Sequence, residues 1–320
     1  MRWKLLFAPL ISLSCIVAAA AQETYPTRPV RMMVGLGAGS STDVTARIVG
    51  QKMGQILGQP VVVENRGGAA GNIATGIVAH AAPDGYTLLF GSVATTVNVT
   101  LSPQQGFDFA KDLVPVALLA TVPNILVVHT SLGVASVDEL IALAKKRPGE
   151  LLVGCSGIGT SPHLSAELFN LMAGVKMTSI PYQGSSQAMS DLLAGRTMLM
   201  FTPAPTALSQ KSSADLRFIA STQLKRAGAM PDLPTIDELG LKGFDTGVWF
   251  GLFAPAGTSK AVIDRLAKSA NEAIHSDEVL AAFKTQGIDP IGSTPEEFAV
   301  YVTSEIEKWG KVVKAAGIRR

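Results

Sequence analysis

Two cysteines, Cys15 and Cys155, are all that the 320 residues provide. Cys15 lies in an N-terminal apolar run, so the body of the chain keeps one thiol and cannot form an intramolecular disulfide. Charge is scarce too, at 16% of residues, and no basic run offers a footprint for nucleic acid. Beyond the first residues the histidines are His80, His129, His163 and His275, scattered along the chain. With no HxxxH, no CxxC and no carboxylates at ligand spacing, no metal site is expected. Stability must therefore come from burial. The 47% hydrophobic content suits parallel strands covered on both faces, which points to an α/β architecture.

The N-terminus carries Arg2 and Lys4, then an apolar stretch from Leu5 to Val17, then Ala18 to Ala21 ahead of Gln22. This order of charge, short apolar centre and small-residue exit predicts a secretory signal peptide over residues 1–21, cleaved after Ala21. The stretch is too short for a membrane span once the alanines are discounted. Ser12 stands where lipidation at Cys15 would want a branched apolar residue. Removing Arg2 and Lys4 leaves 25 basic and 25 acidic residues, a formally neutral protein. The roughly 300 remaining residues fit two domains of ordinary size.

Periodicity predicts a strand at Val30–Val34, a turn over Gly35–Ser41 and a helix over Thr42–Leu57 closed by Gly58. A strand follows at Pro60–Glu64, a helix at Gly71–Ala79, and a third strand at Tyr86–Phe90 that ends in Gly91-Ser92. Leu113–Leu119 and Ile125–His129 read as separate strands on either side of Pro123-Asn124. The second half repeats the scheme: a helix over Val137–Lys146, a strand over Leu151–Gly154, a polar turn, and a helix from Pro162 with Ser161 as N-cap. Further strands are predicted at Thr178–Pro181, Thr197–Phe201, Leu216–Ser221 and Val248–Ala254, with helices at Ser185–Ala194, Val262–Ile274 and Pro295–Ala315.

Four strand ends carry Gly, Ser or Thr: Gly35–Ser41, Gly91–Thr96, Ser156–Ser161 and Thr202. In open α/β sheets ligands gather beyond the carboxyl ends of strands. Hydroxyls and glycine N–H groups at such ends suit a carboxylate or another small anion, held between the two halves by neutral hydrogen bonds. Asp43, at a helix start, is better placed to cap local N–H groups than to touch an anion, with Arg47 one turn on as its partner. A hydrolase would need Ser156 paired with an oriented base, and GCSGI around it lacks the nucleophile-elbow spacing. GLGAGSS only superficially matches a dinucleotide fingerprint, and no cofactor is expected. Tyr182 and Gln183, followed by Gly184-Ser185-Ser186, mark a further loop with an aromatic wall and polar tips, while Trp249 and Phe250 belong to core or hinge packing.

Ordered segments, among them YPTRPVR, GSSTDVTARIV, LGQPVVVENRGGAAGNIATGIVAHAAPDGYTLLFGS, GIGTSPHLSAELF, IPYQGSSQAMSDLLAG, WFGLFAPAGT and TPEEFAVYV, resemble the Bug family of extracytoplasmic receptors for tripartite tricarboxylate transporters. The likeness covers Tyr25 to the C-terminus. It implies a type II periplasmic-binding fold: two Rossmann-like α/β domains, residues 22–124 with 248–320 and residues 125–247, closing on a ligand at hinges near Pro123-Asn124 and Gly247-Val248. It implies a monomeric, non-enzymatic periplasmic receptor that delivers a small organic carboxylate to a membrane permease, or a sensor using the same site. Carried onto this chain, the ligand contacts would be Gly39, Ser40, Ser41, Asp43, Ser92 and Thr95 from one domain and Ser156, Thr160, Ser161, Gly184 and Thr202 from the other. Relatives often show a proline-rich turn where this chain has Gly35, Gly37 and Ala38, which implies a looser loop. They often carry Asp where Thr202 stands, so the resemblance implies a ligand without an amino group.

Overall fold

The computed structural model describes residues 25–103 and 106–319, and the expected signal peptide lies outside them. The elements run β1 (Val30–Val34), α1 (Ser41–Leu57), β2 (Val61–Asn65), α2 (Asn72–Ala79), β3 (Thr87–Ser92), α3 (Val93–Leu101), α4 (Phe109–Asp112) and β4 (Leu113–His129). They continue with α5 (Val137–Lys146), β5 (Leu152–Cys155), α6 (Ser161–Ala173), β6 (Thr178–Pro181), α7 (Ser185–Leu193), β7 (Leu199–Pro203), α8 (Ala204–Leu208) and β8 (Leu216–Ser221). The chain ends with β9 (Gly247–Pro255), α9 (Lys260–Ile274), α10 (Asp277–Gln286), β10 (Asp289–Pro290) and α11 (Pro295–Ala315).

The sheet path is β2-β1-β3-β9-β4-β7-β5-β6, with β8 and β10 also on β4. Strands β1, β2 and β3 are mutually parallel, as are β5, β6 and β7, so the α/β expectation holds in both halves. One strand joins them. From Leu113 to Pro123, β4 pairs antiparallel with β9; from Asn124 to Val128 it pairs with β7, and from Ile125 to His129 with β8. The sequence suggested two strands here, on either side of Pro123-Asn124, and neither Pro115 nor Pro123 can donate to a ladder. The structure accommodates both: the β4–β9 register shifts between Pro115 and Ala117, and Pro123 sits where β4 changes partner.

Four helices escape the sequence pattern. The VATTVNVTL segment of α3 is rich in β-branched residues, which favour helix poorly. Packing overrides that preference, because Val93 and Val97 join Trp309, Val312 and Val313 of α11 in one buried cluster. The others are the four-residue α4, the five-residue α8 and the ten-residue α10. Ser161 is not an N-cap. Thr160 takes that position and Ser161 opens the helix.

Trp249 and Phe250 are core residues, as expected. The Trp249 and Trp309 indoles both donate to the buried Glu305 carboxylate, at 2.9 and 2.8 Å, fixing α11 against β9. The Phe298 ring meets Trp249 edge-on at 5.7 Å and lies 4.9 Å from Phe253, centroid to centroid. It fits because residue 251 has no side chain: a Cβ there would stand 2.6 Å from Phe298 Cε1. Since the ring is walled in, Gly251→Ala should destabilise the fold by about 1–3 kcal/mol. A urea midpoint unchanged from wild type would show that the contact can relax.

Candidate functional site

The carboxyl end of β1 leads through Gly35–Ser40 into α1. A Cβ on Gly35 would lie 2.5 Å from Gly71 Cα, so glycine is required for this loop to approach the Gly67–Gly71 segment. Asn65 Nδ2 adds a bond to Leu36 O at 3.0 Å. The loop that glycines would loosen is thus braced from two sides.

Asp43 completes the brace. Its Oδ2 accepts from Gly39 N at 2.8 Å, and its Oδ1 accepts from Asn65 Nδ2 and Arg47, each at 2.9 Å. Ser40 Oγ in turn accepts from Asp43 N at 3.2 Å, capping α1. Burial would raise the Asp43 pKa, but these bonds, Arg47 foremost, hold it below the usual carboxylate value. Asp43 therefore shapes the loop, as its place at a helix start suggests.

A cavity of about 460 Å³ opens at these strand ends. Its walls include Gly39, Ser40, Ser41 and Ser92 from one half and Ser156, Thr160, Ser161 and Gly184 from the other, eight of the eleven sequence-derived candidates. Asp43, Thr95 and Thr202 do not line it. Thr95 Oγ1 instead accepts from Ser92 N at 3.0 Å, because β3 passes directly into α3 with no intervening loop. Thr202 is fully buried in β7 opposite Ile125, one residue short of the wall formed by Pro203.

Five helices begin at this cavity. The opening residues of α1, α3, α6 and α7 all line it, as do Pro203 ahead of α8 and Thr206 within it. Unpaired first-turn N–H groups and the aligned peptide dipoles give each such end a positive potential. No side chain caps α6 or α7. In contrast, Gly39 N is spent on Asp43 and Ser40 N on Gly37 O, so α1 offers its donors from Ser41 and Thr42. Among the described residues, none that lines the cavity is Asp, Glu, Lys, Arg or His. Leu36, Val93, Pro162, Pro203 and Val248 supply apolar wall.

The sequence placed Ser185 and Ser186 in a polar loop without counting them among the ligand contacts, and it missed Gln187 and Thr206. The GSSQ run after Gln183 signalled the first three, while Thr206 hides in the unforeseen α8. Tyr182 does not line the cavity, and its hydroxyl donates to Asp191 at 2.7 Å.

Ser156 and His163 are each hydrogen-bonded to a group other than one another. Ser156 Oγ donates to Thr160 Oγ1 at 3.1 Å, and His163 Nδ1 accepts from Gly159 N at 3.3 Å. Burial lowers the His163 pKa against the opposing pull of Glu167, and burial raises that of Cys155 to about 11. Neither His163 nor Cys155 lines the cavity.

The Asp43 brace has a pH signature. Because its pKa is depressed by folding, its stabilisation is complete above the unfolded value, about 3.9, and is lost as pH falls through the folded value. Asp43→Asn should cost about 1–3 kcal/mol at neutral pH. Denaturation curves of variant and wild type should converge once the pH has fallen below the folded value. A gap that stays constant on acidification would contradict the assignment.

Comparison with known proteins gives the family of the chain. The family described as tripartite tricarboxylate transporter family receptor matches residues 45–318. Protein BugT of Bordetella pertussis is 39% identical over 97% of this chain and 95% of its own length. An R. palustris protein solved with adipate superposes with a TM-score of 0.84 at 38% identity, covering 92% of this chain and 99% of that one. MatC from Rhodopseudomonas palustris, solved with bound malate, gives 0.80 at 31% identity over 90% of this chain and 100% of its own. The chain belongs to the Bug family, the receptors of tripartite tricarboxylate transporters.

Proposed function

We propose that this protein is a periplasmic receptor that captures a small organic carboxylate, with dicarboxylates foremost, between residues 22–124 with 248–320 and residues 125–247. The observation that carries this reading is a cavity without ionisable side chains on which five helix N-termini converge. A carboxylate loses much hydration on entering such a space and needs hydrogen bonds in return. First-turn N–H groups and hydroxyls provide them, and each helix end adds roughly half a positive charge. The apolar wall suits a short carbon chain. Relatives solved with adipate and with malate fit the same chemistry.

A preference against amino acids no longer rests on Thr202, which does not line the cavity. It rests on the lack of any Asp or Glu in the wall, since an ammonium group would find no counter-charge. The engagement of Ser156 and His163 with other partners favours binding over hydrolysis. Residues 1–21 would export the chain and be removed, and the loaded, monomeric receptor would hand its ligand to a membrane permease of the tripartite type.

Thermal denaturation with a ligand panel tests this. Adipate, malate or another dicarboxylate at a hundred times its Kd should stabilise the protein by about 2.7 kcal/mol, whereas aspartate and glutamate should do much less. Ser41→Ala and Ser156→Ala, one in each half, should each weaken binding about tenfold through loss of a bond to a charged group. A panel in which no carboxylate shifts the melting point while an amino acid or nicotinamide does would overturn the reading.

A further inference from the structure

The chain passes between the two halves at Asn124, where β4 leaves β9, and returns at Thr246-Gly247, where β9 begins. A buried polar network joins these crossings to the cavity. Asn124 is fully buried, and its Nδ2 donates to Ser161 Oγ at 2.6 Å and to Ser165 Oγ at 2.9 Å. Ser161 lines the cavity and Ser165, one turn along α6, does not. Ser165 Oγ lies 2.7 Å from Thr246 Oγ1. Thr222 closes the loop: its Oγ1 accepts from Asn124 N at 3.0 Å and donates to Thr246 O at 2.7 Å.

The same place holds buried polar groups without partners. Asn124 Oδ1, Thr202 Oγ1 and Ser221 Oγ have none among the described residues. Thr202 and Ser221 both stand opposite Ile125, the next residue along β4. Unpaired buried groups are costly, so this crossing is the part of the core with most to gain from a second arrangement. Such a bistable element is what a closing motion requires.

We propose that Asn124 is a positioning residue that couples Ser161, in the ligand cavity, to both strands about which the halves move. This rests on the receptor reading above. A ligand that engages Ser161 acts on a hydroxyl whose oxygen already accepts from Asn124, and Asn124 is bonded to each crossing either directly or through Ser165 and Thr222. Ligand binding energy then biases the relative position of the halves, because the contacts differ between the two arrangements. Through this path Ser165 contributes to affinity without touching ligand.

The test compares wild type, Asn124→Ala and Ser165→Ala by adipate and malate calorimetry, by small-angle scattering with and without saturating ligand, and by melting temperature. Ser165→Ala leaves every cavity-lining group in place, so it stays informative if Asn124→Ala fails to fold. We expect Ser165→Ala to weaken binding at least about fivefold and to reduce ligand-induced compaction, in addition to the fall in melting temperature that leaving Asn124 Nδ2 short of a partner produces. A merely structural role would lower the melting temperature and leave affinity and compaction intact, which overturns the proposal. Weakened binding with full compaction also overturns it. If wild type binds no carboxylate, the receptor reading fails and takes this inference with it; if wild type binds and Ser165→Ala matches it, the inference alone fails.

Discussion

On the reading proposed above, holding an anion in a cavity whose described walls contain no cation is the constraint on which the rest of this structure depends. A lysine or arginine would do it with one side chain. Here the backbone must, and that demands several helices starting at one place. Parallel strands followed directly by helices deliver such starts at the carboxyl edge of the sheet. The two halves each contribute: α1 and α3 from the first, α6, α7 and α8 from the second. The fold, on this account, is the minimum apparatus for bringing those ends together.

The supporting contacts follow from the same demand. Backbone donors are useful only if the loops before them are rigid, so Asp43, Asn65 and Arg47 lock the first loop, and Gly35 permits its contact with Gly71. Charge is present near the cavity but spent: the Asp43 carboxylate faces Gly39, Asn65 and Arg47 and does not reach the lining. Behind the site, β4 and β9 carry the chain across, and Trp249 and Trp309 anchor α11 to that crossing through Glu305. Rigid ends and a polar crossing are complementary requirements of a receptor that grips and releases.

Much of this is legible in the sequence where local chemistry decides structure. Val30–Val34, the Gly58 helix stop and the α11 start at Pro295 stand where periodicity and capping put them. The misses occur where tertiary packing outweighs local preference. Prolines seemed to break β4, yet the strand changes partner at Pro123 and needs no donor there. Valine and threonine hid α3, which folds as helix because α11 covers it. The same oversight misplaced Thr95, whose hydroxyl is drawn into the start of a helix that had been read as a turn. Thr202 shows the limit of placing a site by strand ends, since a shift of one residue along β7 separates cavity wall from sheet interior.

A crystal structure of the protein with a bound dicarboxylate tests the central claim most directly. The account predicts carboxylate oxygens within about 2.7–3.2 Å of first-turn N–H groups and hydroxyls from both halves. It also predicts no lysine or arginine nitrogen within about 4 Å of them. A basic side chain seated on the carboxylate, or a ligand bound outside this cavity, would contradict it.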